Sequence, residues 1–153
     1  MIAEALLNKP DEVMSIYKKI NPIEHTKSKE SVMKYKVEPY VIEADIYSEG
    51  NLAGRGGWTW YTGSSSWLYE AQIRYILGIR IYHGKMTIKP CVPKEWEKFE
   101  VTLRWKEAKY IIKYNQVGEN RISIEEENKE IKPISEGEIQ LKDKGNYIIT
   151  VYF

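Results

Sequence analysis

The chain has 153 residues, room for one ordinary domain or two small ones, and 42% hydrophobic with 29% charged residues is a globular composition. Its 23 basic and 22 acidic side chains nearly cancel, which argues against nucleic acid or an anionic membrane as the main partner, since both demand a concentrated basic surface. No apolar run approaches a membrane span and no signal-peptide core opens the chain, so a cytoplasmic location is expected; the single cysteine, Cys91, excludes an internal disulfide framework and cannot alone build a metal site.

In chain order, residues 2–8 read as the last turns of a helix. Asn8-Lys9-Pro10-Asp11 reads as a stop followed by an N-cap, and Glu12–Ile20 as a second short helix. The polar stretch Asn21–Val37 has no clear period and reads as loop. Tyr40–Tyr47 is short and apolar, and with Pro39 at its opening turn it reads as helix. Gly50–Gly63 is glycine-rich and carries Trp58, Trp60 and Tyr61. Ser64–Ile79 is the strongest helical pattern. Trp67, Ala71, Tyr75 and Gly78 form one stripe, while Leu68, Ile73, Ile76, Leu77 and Ile79 cover much of the remainder. A helix apolar on so many sides is expected between neighbours, so residues 1–80 read as a piece of a larger helical array.

From Met86 onward the pattern is β. Val101, Leu103 and Trp105 alternate with Thr102, Arg104 and Lys106; Tyr110, Ile112 and Tyr114 follow, then Ile122–Ile124, then Tyr147, Ile149, Val151 and Phe153. Turns are expected at Val117–Asn120, Glu136-Gly137 and Lys144-Gly145-Asn146. The chain stops on a strand, as a small sandwich would. The fold class is therefore α+β, with helices over 1–80 and a β domain over 81–153.

The segment that could carry chemistry is Gly54–Trp67. Thr62-Gly63-Ser64 stands where the long helix begins, and free N–H groups at a helix start beside a glycine can hold a phosphate or carboxylate. Trp58, Trp60 and Tyr61 are broad faces able to stack on sugar rings. The plainer reading is that Ser and Thr cap the helix while the tryptophans plug a core. Glu38, Glu43 and Asp45 lie close in sequence and could serve as a general acid or bind sugar hydroxyls, although surface or core-pairing carboxylates are commoner. His25 and His83 have no ligand-spaced partner, so no metal site is expected, and no cofactor fingerprint is present.

The strings NPIEH (21–25), VEPYVIEADIY (37–47) and GRGGWTWYTGSSSWLY (54–69) resemble the C-terminal part of glycoside hydrolase family 94, the inverting β-glycoside phosphorylases. They are most similar to the phosphorylase-like module of cyclic β-1,2-glucan synthases and to β-1,2-oligoglucan phosphorylases. LGIR (77–80) and KMTIKPCVPKEWEKFEVTLRW (85–105) carry the resemblance into that family's closing β domain. The resemblance implies the last helices of an (α/α)6 barrel over 1–80 and a C-terminal antiparallel β-sandwich over 81–153. It implies no cofactor, inorganic phosphate as co-substrate and a β-linked glucan or oligosaccharide as partner. Cleavage would yield α-glucose 1-phosphate, or the chemistry would serve cyclic glucan synthesis. The family's phosphate-binding Thr-Gly falls on Thr62 and Gly63, with Ser64 beside them. Glu38 falls in the family's EPY near the sugar site, where Trp58, Trp60 and Tyr61 complete a candidate sugar surface.

The family's general acid is an Asp on an earlier helix, and its other phosphate ligands, an Arg and a His, also lie earlier. None of those motifs occurs here, and His25 stands in a different context. The resemblance thus implies a partner in the form of an N-terminal catalytic half, in the same or another polypeptide, and no catalytic residue in this chain. Self-association is a further way to cover the apolar helix faces. The rival reading is a non-catalytic carbohydrate-binding or scaffold module.

Overall fold

The computed structural model describes residues 1–60, 62–126, 129–131, 133 and 137–153. The chain divides into two compact units, Met1–Gln72 and Ile73–Phe153. Helices dominate the first and strands the second, an α+β arrangement.

The first unit opens with α1 (Ile2–Leu6) and α2 (Pro10–Ile20). Asn8, at a φ of 55°, breaks the chain between them. Helix α2 starts at Pro10 rather than Glu12, because proline at the first helical position gives up an N–H that has no intrahelical partner. Asp11 is therefore in the first turn, where with Glu12 it complements the helix dipole, and Lys18 and Lys19 do so at the other end.

The expected loop Asn21–Val37 instead holds a 3₁₀ turn, Glu24–Thr26, and α3 (Lys29–Tyr35). Ser28 caps α3 by accepting the Ser31 N–H at 3.1 Å, and the Ser31 hydroxyl in turn accepts the Ser28 N–H at 3.0 Å. This reciprocal cap uses serine at the third helical position, where glutamate or glutamine is the usual signal, so the helix start is easily overlooked. Lys36 ends α3 in the left-handed conformation.

The expected helix Tyr40–Tyr47 is also absent. Its central residues form no helix and lead into β1 (Asp45–Ile46), paired antiparallel with β2 (Gly56–Gly57). Val41 and Glu43 are buried with half-buried Ile42 between them, while Ala44 and Asp45 are exposed. Glycine is required in β2 by close approach. A Cβ on Gly56 would stand 2.5 Å from Val37 Cγ2, and one on Gly57 2.2 Å from Asp45 Oδ1. Tyr35, Val37 and Val41 form the buried cluster beside this ribbon, with Ile46 packed on it.

Helix α4 (Thr62–Ala71) buries Leu68 and Ala71 but leaves Trp67 69% and Tyr69 64% exposed, so it is not enclosed on all sides. A π-helical turn, Gln72–Ile76, follows, and the helix ends there rather than at Ile79. The reason is Gly78, at a φ of 74°, where an added Cβ would fall 1.9 Å from the Lys89 carbonyl oxygen. The Gly78 carbonyl accepts the Lys89 N–H at 3.0 Å, and the Ile76 carbonyl accepts the Cys91 N–H at 2.8 Å. Cys91 itself is buried.

In the second unit the strands begin earlier than the expected Met86, with β3 (Ile79–Tyr82) and β4 (Lys85–Ile88). His83 and Gly84 join them with both φ values positive, the two-residue turn whose twist suits a hairpin. The remaining strands are β5 (Lys98–Trp105), β6 (Glu107–Asn115), β7 (Arg121–Glu126), β8 (Lys129–Ile131), β9 (Glu138–Gln140) and β10 (Lys144–Tyr152). They form a five-stranded sheet in the order β5-β6-β10-β7-β8 and a three-stranded sheet in the order β3-β4-β9. The larger sheet is not wholly antiparallel, because β10 pairs parallel with β6 over its full length. Lys144-Gly145-Asn146 lies within β10, opposite Glu107–Lys109, and the bend falls at Asp143 instead. Of the expected turn Glu136-Gly137, Gly137 is a turn residue and Glu136 lies outside the described residues.

Both sheets contribute to one core. Ile79, Met86, Ile88 and Ile139 come from the smaller sheet, and Tyr110, Ile112, Tyr114, Ile124, Tyr147 and Ile149 from the larger. Phe99 stacks on Tyr114 with centroids 4.3 Å apart, and Tyr110 on Tyr147 at 4.8 Å. The Tyr114 hydroxyl reaches the Leu77 carbonyl at 2.9 Å, which satisfies a polar tip inside an apolar layer. Among the described residues no helix is long and apolar enough to cross a membrane. Gly78→Ala meets both an unfavourable φ and a backbone clash, so a loss of at least about 2 kcal/mol is expected in urea unfolding; Gly118→Ala, where nothing lies near the added carbon, should cost less.

Candidate functional site

The first unit carries a groove of about 800 Å³. One wall is the segment Ile42–Ser48, which runs through β1. The other is α4, through Ser64, Trp67, Leu68 and Ala71, with Lys19, Ile20 and His25 closing one end. Most of this lining is apolar. The polar groups on it are few: Lys19, His25, Glu43, Asp45, Ser48 and Ser64.

Glu43 is the unusual one. It is only 5% exposed, as buried as Val41 two residues before it. The buried Tyr35 hydroxyl donates a hydrogen bond to its Oε2. His25 stacks on the Tyr35 ring, with centroids 4.8 Å apart and planes 14° from parallel. The His25 Nε2 lies 2.7 Å from the Lys19 carbonyl oxygen, a contact that requires a proton on Nε2. Burial pushes the Glu43 carboxyl above its ordinary pKa, and the nearby Asp45 adds to the rise, while the backbone and His25 oppose it. A carboxyl so placed can exchange between donating and accepting a hydrogen bond at the groove wall. It cannot perform two-carboxylate glycoside chemistry without a second group on the opposite face of a sugar.

Of the residues singled out from the sequence, Glu43, Asp45 and Ser64 line this groove. The Thr62 main chain opens α4, and Gly63 is exposed, with nothing within 4 Å of where a Cβ would stand. Trp58 and Trp60 are 66% and 64% exposed, and neither lines the groove. Both hold left-handed backbone, at φ values of 52° and 66°. Such geometry is rare for bulky residues, and at Trp58 the carbonyl is tied down by the Ala44 N–H at 3.0 Å. Trp60 sits edge-on to Tyr40, 6.2 Å away. Glu38 is half-buried and closes a turn through its carbonyl, which accepts the Val41 N–H at 3.1 Å. Tyr61 lies outside the described residues. Sequence reasoning therefore undervalued Glu43, Asp45, His25 and Trp67. The sequence named the Glu43 carboxylate, but its burial beside Tyr35 depends on contacts that spacing does not encode.

Among the described residues no group of three His, Cys, Asp or Glu side chains could hold a metal ion. The raised Glu43 pKa has a stability consequence. The folded state holds the proton more tightly, so this contribution is full below the unfolded value, near pH ~4.3, and is lost as pH rises through the folded one. Glu43→Gln keeps an acceptor for Tyr35 and should flatten this fall; urea midpoints measured between about pH 4 and pH 8 for both proteins would show it.

Residues 1–78 match the model of the glycosyl hydrolase 94 superfamily, catalytic domain. The chain is 46% identical over 104 residues, 68% of its length, to the cyclic beta-(1,2)-glucan synthase NdvB of Rhizobium meliloti (strain 1021). It is 35% identical over 113 residues, 72% of its length, to the N,N'-diacetylchitobiose phosphorylase of Vibrio furnissii. It is 25% identical over 137 residues, 82% of its length, to the solabiose phosphorylase of Paenibacillus borealis. These alignments span 4%, 14% and 17% of the respective relatives. A family match over the helical unit, including the groove and the start of α4, joined to relatives that extend the likeness into the strands, makes the chain a member of the glycosyl hydrolase 94 superfamily.

Proposed function

We propose that this chain supplies the phosphate end of a β-glucoside phosphorylase or of a cyclic β-glucan synthase, and that the remainder of the catalytic domain comes from other sequence. The observation that carries the reading is the start of α4 at Thr62-Gly63-Ser64, with Ser64 on the groove that also bears Glu43 and Asp45. The first N–H groups of a helix have no intrahelical partners and point outward with the positive end of the dipole. The open space over Gly63 leaves room for an anion to approach them. The relatives, phosphorylases and a glucan synthase, agree with such a site.

In this reading phosphate attacks the anomeric carbon from one face while an acid protonates the departing glycosidic oxygen on the other, and α-glucose 1-phosphate leaves with inverted configuration. Thr62, Gly63 and Ser64 bind the phosphate. Glu38, Trp58, Trp60 and Tyr61 contact sugar, and the general acid lies outside this chain, which is inactive alone. Residues 1–80 are then the closing helices of an (α/α)6 barrel and residues 81–153 a C-terminal β-sandwich. The relatives' greater length supports a missing portion.

The test is release of α-glucose 1-phosphate from β-1,2-glucooligosaccharides when the rest of the catalytic domain is supplied. Thr62→Val should raise the phosphate concentration for half-maximal rate at least about tenfold, the worth of one charge-assisted hydrogen bond, with little change for the sugar. An unchanged phosphate dependence removes Thr62 from the site. The exposure of Trp58 and Trp60 favours a second reading, a non-catalytic sugar-binding module. Calorimetry of this chain alone against glucans decides it, through saturable binding that Trp60→Ala abolishes.

A further inference from the structure

The second unit holds a cavity of about 720 Å³ that the phosphorylase reading does not use. The outer face of the three-stranded sheet gives part of its lining, and Ile88, Ile122 and Pro133 give it an apolar side. Ile79, Ile81, Met86, Ile88 and Ile139 turn toward the core, so the two-residue period places Arg80, Thr87 and Glu138 on the opposite face. The strand register sets these three side by side, Arg80 opposite Thr87 and Thr87 opposite Glu138. Lys89, just past β4, and Asn120 and Arg121, at the start of β7, complete the polar lining.

Among the described residues, three cations line this cavity with one carboxylate, and that carboxylate already has a partner. Glu138 Oε2 is 3.2 Å from the Lys85 ammonium. The arginines are held in place by their own unit. The Arg80 guanidinium lies over the Tyr75 ring, 4.9 Å from its centroid, and its Nε donates to the Arg74 carbonyl at 3.0 Å. The Arg121 guanidinium lies over the Tyr152 ring at 3.9 Å, with Glu119 3.5 Å from its Nε. Stacking occupies one face of the guanidinium plane and leaves the in-plane terminal N–H donors for a planar or tetrahedral oxyanion. Lys89 makes no ion pair with any described residue.

Donors this concentrated do not match a neutral sugar alone, whose hydroxyls ask for donors and acceptors in similar number. The cavity is also far larger than a bare phosphate, within the range of ~300–1,000 Å³ that holds a small organic ligand. Thr87, Asn120 and Glu138 offer the mixed donors and acceptors suited to ring hydroxyls. We propose that this cavity binds an anionic saccharide, its phosphate or carboxylate held between Arg80, Arg121 and Lys89. The proposal does not rest on the role assigned to Thr62, which belongs to the other unit.

The test follows the Arg80 and Arg121 Nε–Hε resonances of the whole chain by NMR, titrated with glucose 6-phosphate, glucuronate, glucose and inorganic phosphate. Saturable shifts are expected with one or both anionic sugars, which identifies the oxyanion, and none with glucose. Arg80→Gln and Arg121→Gln should each weaken binding at least about tenfold, the loss of a charge-assisted pair; Lys89→Gln, on an exposed side chain, should weaken it without disturbing the fold. The proposal is overturned if neither anionic sugar saturates, if sodium chloride at equal ionic strength reproduces the shifts, or if all three variants bind as the parent does. It is equally overturned if inorganic phosphate binds as tightly as glucose 6-phosphate, since the sugar then contributes nothing. Shifts confined to the Gly63 and Ser64 amides report the other site and count against this one.

Discussion

The first unit depends on how closely side chains pack on the backbone of two adjacent glycines. Gly56 and Gly57 lie against Val37, Tyr35 and Asp45 at distances that leave no room for a side chain. Beside that contact β2 pairs with β1, and the preceding residues form no helix, against their local pattern. Val41 and Glu43 are buried there, the Glu43 carboxyl meets the Tyr35 hydroxyl, and burial raises its proton affinity. The chemical character of the groove thus follows from missing Cβ atoms on a neighbouring strand. The same ribbon leads directly into the left-handed backbone at Trp58 and Trp60 and then into the start of α4.

In the second unit the comparable constraint is the place of β10. The final strand lies between β6 and β7, parallel to one and antiparallel to the other, and buries Tyr147, Ile149 and Val151 along one face. Without it the larger sheet would fall into two pieces. The smaller sheet takes its third strand, β9, from the chain just before β10, so both sheets are completed late in the sequence. Such non-local pairing is slow to form because loop closure precedes the contacts that reward it. It also fixes the outer face on which Arg80, Thr87 and Glu138 stand in register.

The two proposed anion sites are built by different means. At the head of α4 the donors are backbone N–H groups, supplied by the fact of starting a helix and exposed by glycine. In the β unit they are guanidinium groups on separate strands, oriented by stacking on Tyr75 and Tyr152. The first is readable wherever a helix start is readable. The second exists only when the strands are folded.

The sequence by itself determined the family, because Gly54–Tyr69 is long and rich in uncommon residues, and it determined the division into helical and β-rich parts, because the period of the apolar residues changes. It also marked the start of α4 at Thr62-Gly63-Ser64. Tertiary structure alone decided the state of Tyr40–Tyr47, since eight apolar and acidic residues suit either period until a partner strand is present. It decided the end of the last helix, where Gly78 must pass the Lys89 carbonyl, and the parallel pairing of β10, which no local signal encodes. It decided as well that Trp67 stays exposed beside Glu43 on the groove while Trp58 and Trp60 do not line it. Burial and side-chain neighbours are properties of the folded surface, and composition and spacing constrain them only where one face of an element is already committed to a core.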